Sequence, residues 1–161
     1  PAFTLQIVFF DGEEALLHWS AHDSLYGSRH LASKWSQSSD PRYRLADIHL
    51  MVLLDLLGQS TAQLYSFHPP GTLEHAEFLR LRRLDDGSLF STSSQYMHLQ
   101  GLAIEDDHVP FQQHSVPVLH LIPIPFPKEW HTAADDLGAL DMDACERFAK
   151  VMRAYLSDKL G

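Results

Sequence analysis

The sequence predicts an α/β layered fold, and three observations carry that expectation. Apolar runs of strand length recur at Leu5 to Phe10, Ile48 to Leu54 and Val116 to Ile122. Segments of helical character lie between and after them. Breaks rich in Pro, Gly and Ser separate the pieces, and such an alternation packs as helices against a sheet. With 161 residues and 45% hydrophobic content, the chain is the size of one domain and is globular rather than disordered.

Leu5 to Phe10 reads as a buried strand, with Gly12 turning the chain out of it. Asp23 or Ser24 caps a helix that runs through His30 and Leu31 to about Trp35. Ser36 to Arg44, polar and holding Pro41, is a surface loop. Ile48 to Leu54 is almost continuously apolar, the pattern of a central strand, and ends in Asp55. Residues 59–71 are loop, closed by Pro69-Pro70-Gly71. Leu73 to Leu84 suits a helix that Asp85-Asp86-Gly87 ends, and Ser88 to Gln95 is a Ser/Thr-rich variable loop. Val116 to Ile122 is a second buried strand. Pro123, Pro125 and Pro127 then force extended chain. The last helix runs from about Asp141 to Leu160, with an apolar stripe at Phe148, Val151, Met152, Tyr155 and Leu156.

A net charge of −9 argues against nucleic acid as a partner, and the one basic cluster, Arg80 to Arg83, reads as a solvated helix face. Cys145 is the single cysteine, so no disulfide forms within the chain; its helical setting suits a structural thiol. There is no asparagine, hence no glycosylation sequon, and no apolar run of transmembrane length. The chain opens Pro1-Ala2-Phe3 without an initiator Met, and the expectation is a piece of a longer protein.

Polar residues gather at the ends of the apolar runs. Glu13 and Glu14 follow the first, Asp55 the second, and His131 the proline loop. Two adjacent carboxylates repel unless something holds them charged, and a metal ion does so: one glutamate ligates it while the other stays free as a base. Glu and His suit Zn²⁺, and wide spacing points to a site assembled from loops rather than a structural zinc knuckle. Each piece also has an ordinary reading. A Glu-Glu pair is often a solvated turn, Asp55 a cap, His120 a core histidine, Asp106-Asp107 an N-cap, and Trp19 and Trp130 plain packing.

Four stretches together resemble the glutaminyl-peptide cyclotransferases (glutaminyl cyclases), a branch of the zinc-aminopeptidase-like α/β family. They are Phe9 to Trp35, Met51 to Gly58, Glu105 to Phe111 and Val116 to Thr132, with residues 59–100 matching poorly. The resemblance implies a three-layer sandwich with a central mixed sheet flanked by helices, of which residues 1–161 form a partial domain. That part corresponds to the C-terminal portion of a single catalytic domain. It implies Glu13 as general acid/base and Glu14 and His131 as ligands of one zinc ion. The family's third ligand, an Asp, has no counterpart here and is expected from a segment upstream. The chain alone is therefore expected to bind zinc poorly and to be inactive. Asp106 matches an aspartate that contacts the substrate amide, and Asp55 its hydrogen-bonded partner. Trp19, Phe126 and Trp130 match the pocket wall, and His120 a nearby histidine.

The activity so implied is conversion of N-terminal glutamine of peptides and proteins to pyroglutamate, with release of ammonia. Family members act in the secretory pathway, secreted or in the Golgi lumen. A zinc aminopeptidase of the same fold is the second reading, in which Asp55 binds a second zinc. A non-enzymatic module of the same fold is the third, and retention of Glu13, Glu14 and His131 counts against it; a truncated, inactive fragment stays open beside it.

Overall fold

The described residues of the computed structural model are 3–91 and 104–161. Helix α1 spans Tyr26–Ser36, strand β1 Met51–Leu54, helix α2 Leu73–Leu84, the single turn α3 Val109–Gln112, strand β2 Val118–Leu121 and helix α4 Met142–Leu160. Short 3₁₀ turns lie at Pro41–Tyr43, Leu45–Asp47 and Leu137–Ala139. β1 and β2 pair in the same direction: Met51 N donates to the Pro117 carbonyl and Asp55 N to that of Leu121. Every residue of β2 is buried, as expected of a parallel strand covered on both faces.

The described residues divide into two compact units. One holds residues 6–53 and 104–119. Its core joins Ala32 and Trp35 of α1 to Leu45, Phe111 and Val116, with Phe10, Leu31, Ile48 and Met51 packed on it. Phe111 meets Phe10 at 5.7 Å between ring centroids and Trp35 edge-on at 6.1 Å. Ser28, Ala32 and Trp35, at i, i+4 and i+7, form the buried stripe of α1.

The other unit holds residues 3–5, 54–91 and 120–161. In it α2 packs against α4. Thr72 caps α2 by accepting from His75 N, and Asp141 caps α4 by accepting from Ala144 N at 2.9 Å. The Asp85 carboxylate turns the chain after α2 by accepting from the N–H groups of Leu89 and Phe90, each at 2.9 Å. Phe90 then sits edge-on to Phe78. Glu77 on α2 is buried and meets α4 through a 2.9 Å bond donated by Tyr155 Oη and a 2.8 Å ion pair with Lys159. Arg80 bridges Glu77 and Asp158. Burial alone would raise the Glu77 carboxyl, but Lys159, Tyr155 and Arg80 outweigh it and leave it below its ordinary value.

Three expectations are corrected. Leu5 to Phe10 is not a strand: no ladder pairs with it among the described residues, and Ile7 and Phe9 are 71% and 93% exposed. An apolar run becomes a strand only when a neighbour supplies N–H and C=O groups, and here β1 and β2 pair with each other. Neither Asp23 nor Ser24 caps α1. Leu25 does so in a left-handed conformation without a side-chain bond, and Asp23 instead binds the backbone of residues 16–18. The two paired strands are also shorter than their apolar runs, since Ile48 closes a 3₁₀ turn. The expected variable loop at Ser88 to Gln95 lies partly outside the described residues, and within them Phe90 is buried.

Candidate active site

The acid pair is set by backbone bonds rather than by a strand. The carbonyls of Asp11, Gly12 and Glu13 accept from the N–H groups of Gly27, Tyr26 and Leu25 at 2.9, 2.8 and 2.8 Å. These are N–H groups at the start of α1 that a helix cannot satisfy internally. The approach is so close that a Cβ on Gly27 would lie 2.4 Å from the Asp11 carbonyl oxygen, which only glycine avoids. Glu13 is half-buried and Glu14 exposed. Glu14 lines an open cavity of about 400 Å³ with Asp11, Gly12, Tyr26 and His30.

Asp23 holds the next loop. Its carboxylate accepts from the N–H groups of Leu16, Leu17 and His18 at 2.7, 2.9 and 2.8 Å and from Tyr26 Oη at 2.7 Å. The Tyr26 bond above all, followed by the backbone donors, holds its carboxyl far below the usual range. Trp19 follows this loop. Its indole N–H donates to Glu105, so a ring 42% exposed is nonetheless tethered.

Glu105 leads into two buried acids. Asp106 Oδ1 accepts from Asp107 N at 2.6 Å, and the Asp106 carbonyl accepts from Val109 N at 2.9 Å. Asp106 and His108 bring a carboxylate oxygen and a ring nitrogen within 4.8 Å of each other, a donor pair of the kind metals take. The Asp107 carboxyl is pushed up by burial, opposed by a hydrogen bond with Ser28 and reinforced by the charge of Asp106.

The remaining residues lie in the unit containing α2 and α4. Asp55 follows β1 and is half-buried; His120 on β2 is buried, its ring stacked at 6.5 Å on Phe67. After the proline loop, Phe126 meets Trp130 edge-on at 5.0 Å, and Trp130 stacks on His131 at 3.9 Å. His131 holds φ at 59°, a left-handed conformation that disfavours side chains. The structure thus groups Phe126, Trp130 and His131, and separately ties Trp19 to the segment holding Asp106. Among the described residues neither Glu14 nor His131 stands in a group of three His, Cys, Asp or Glu ligand atoms at metal-binding distance. As donors, an exposed carboxylate and an exposed imidazole fit zinc as part of a ligand set.

Two tethers escape the sequence. Trp19 with Glu105 is separated by 86 positions, and Gln59 with Glu129, at 2.6 Å, by 70. For the first, the sequence says only that an indole N–H seeks an acceptor, not which one. The second had no signal.

Residues 1–156 match the profile of peptidase family M28. The chain belongs to that family. It is 38% identical to the glutaminyl-peptide cyclotransferase of Gloydius blomhoffii over 98% of this M28 chain and 46% of that protein. It is 41% identical to that of Bos taurus over 99% of the chain and 47% of the relative. The crystal structure of Macrostomum lignano glutaminyl cyclase superposes with a TM-score of 0.81 at 33% identity, over 94% of this chain and 53% of the other. The chain spans about half the length of the curated relatives it matches. The resemblance read from the four stretches therefore holds, and so does the α/β fold class.

Proposed function

We propose that the protein containing these residues converts N-terminal glutamine to pyroglutamate, and that residues 1–161 are the C-terminal portion of its catalytic domain. The observation that carries this reading is the likeness to Macrostomum lignano glutaminyl cyclase over 94% of the chain. Glu14 and His131 would hold one zinc ion, with a third ligand from beyond these residues. Bound there, the ion supplies Lewis acidity toward the side-chain amide oxygen of the substrate.

Glu13 takes a proton from the α-amine, and the amine nitrogen forms a bond to the amide carbon. Glu13 returns that proton to the departing amide nitrogen as the carbon–nitrogen bond breaks, and ammonia leaves. Ring closure is intramolecular, so orientation carries much of the rate. Trp19, Phe126 and Trp130 wall the glutamine side chain. Asp106, paired with Asp55, accepts from the amide nitrogen, and His120 completes the polar lining. The backbone anchoring of Glu13 and the Trp19–Glu105 tether support this preorganised role. Peptides and proteins with a leading glutamine are the substrates, and the secretory pathway is the proposed compartment. No helix among the described residues is long and apolar enough to cross a membrane.

The test is mass spectrometry of a Gln-leading peptide incubated with the full-length protein, with and without a zinc chelator. Chelator-sensitive loss of ammonia with the residue retained is expected. Release of the whole first residue would instead identify an aminopeptidase.

A further inference from the structure

Glu129 is placed to hold its neighbour His131. Its carboxylate accepts from Gln59 Nε2 at 2.6 Å, while the exposed Lys128 ammonium lies 3.4 Å from its other oxygen. Its carbonyl accepts from both Thr132 N, at 3.0 Å, and Thr132 Oγ1, at 2.6 Å. Between these anchors His131 keeps the left-handed backbone that a residue with a side chain does not choose unaided.

Gln59 is itself anchored. The carbonyl of the preceding Gly58 accepts from Asp141 N at 2.8 Å, at the start of α4. A Cβ on Gly58 would meet Leu140 at 2.9 Å and Cys145 Sγ at 3.1 Å, so the backbone there lies against α4. A helix end thus holds Gln59, Gln59 holds Glu129, and Glu129 holds the turn that presents His131 stacked on Trp130.

We propose that Gln59 and Glu129 are a positioning pair that fixes the imidazole of His131 and the Trp130 ring; its consequence for zinc rests on reading His131 as a ligand. The role assigned to both residues is to position, not to bind substrate or metal. Without their bond the turn relaxes toward right-handed backbone, and the imidazole turns from its stacked orientation. Outer partners that orient a ligand commonly change metal affinity ten- to a hundred-fold.

The test uses the full-length protein with E129A, Q59A, the double variant and E129Q, whose amide oxygen still accepts from Gln59. Two-dimensional NMR of labelled histidine reads the His131 ring signals, which the stacked Trp130 displaces, and chelator competition reads zinc affinity. E129A and Q59A are each expected to move the His131 signals and weaken zinc about ten-fold, with melting temperatures unchanged. The double variant should be no worse than either single one, and E129Q should resemble wild type. Unmoved His131 signals in E129A and Q59A would overturn the pair, whatever zinc does. Moved signals in a protein that never binds zinc would uphold the pair and remove the ligand reading. An E129Q as impaired as E129A would also overturn it, because charge rather than the hydrogen bond would then be at work.

Discussion

Glu77 and Asp107 are both buried acids, one in each unit, and their carboxyls move in opposite directions. Burial pushes both up, because the charged form loses water. Glu77 has Lys159, Arg80 and the Tyr155 hydroxyl around it, and their sum reverses the push. Asp107 has a hydrogen bond with Ser28 opposing burial but a like charge beside it, and the push stands. Burial therefore does not decide whether an interior acid supports or opposes folding. The neighbours do, and for Glu77 they come from its own helix and from α4.

The largest effect that tests this contrast is truncation of Glu77. Glu77→Ala strands a half-buried ammonium and a buried phenol, and should cost about 3 kcal/mol by denaturant unfolding. A loss below about 1 kcal/mol would dissolve the contrast. Next comes the acid limb. The folded carboxyl of Glu77 lies below its unfolded value, so the unfolded chain binds the proton first as pH falls. Stability is present above about pH 4.3 and is lost as pH drops through the folded value. Glu77→Gln should start about 2 kcal/mol lower at neutral pH and converge with wild type in acid; parallel curves would contradict the ion pair. Tyr155→Phe should cost about 1 kcal/mol, since it removes one bond and leaves the ring.

Asp107→Asn is the smallest effect and the opposite one. The raised carboxyl binds its proton more readily when folded, so wild-type stability declines as pH rises from the ordinary value toward the raised one. The asparagine variant should escape that decline and be equal or up to about 1 kcal/mol more stable at neutral pH. A clear destabilisation growing with pH would mean that Asp107 has a cationic partner.

The same distinction between local and distant partners explains how much the sequence disclosed. The bounds of α2 were legible because Thr72, Pro69-Pro70-Gly71 and Asp85-Asp86-Gly87 act within a few residues of the helix ends. α4 was legible for the same reason, from Asp141 and its stripe. Leu5 to Phe10 misled because a strand is a property of two segments, and the second is not written in the first. Asp23 misled because two local uses competed, and three N–H groups on residues 16–18 took the carboxylate that a cap would have used. The family-bearing residues were legible as a motif, whereas the tethers that orient them, Glu105 and Gln59, depend on the fold.

Gly27 carries this to a position with no chemistry of its own. It has no side chain to bind or react with, and its missing methyl group is what lets the Asp11 carbonyl reach its N–H. A library randomised at residue 27 and sorted for turnover by the full-length protein should return glycine alone. On the proposed function, its alanine clone should lose turnover by displacing Glu13 and Glu14, with the core of that unit intact. A substitution there would disturb the proposed site without altering any residue assigned to it.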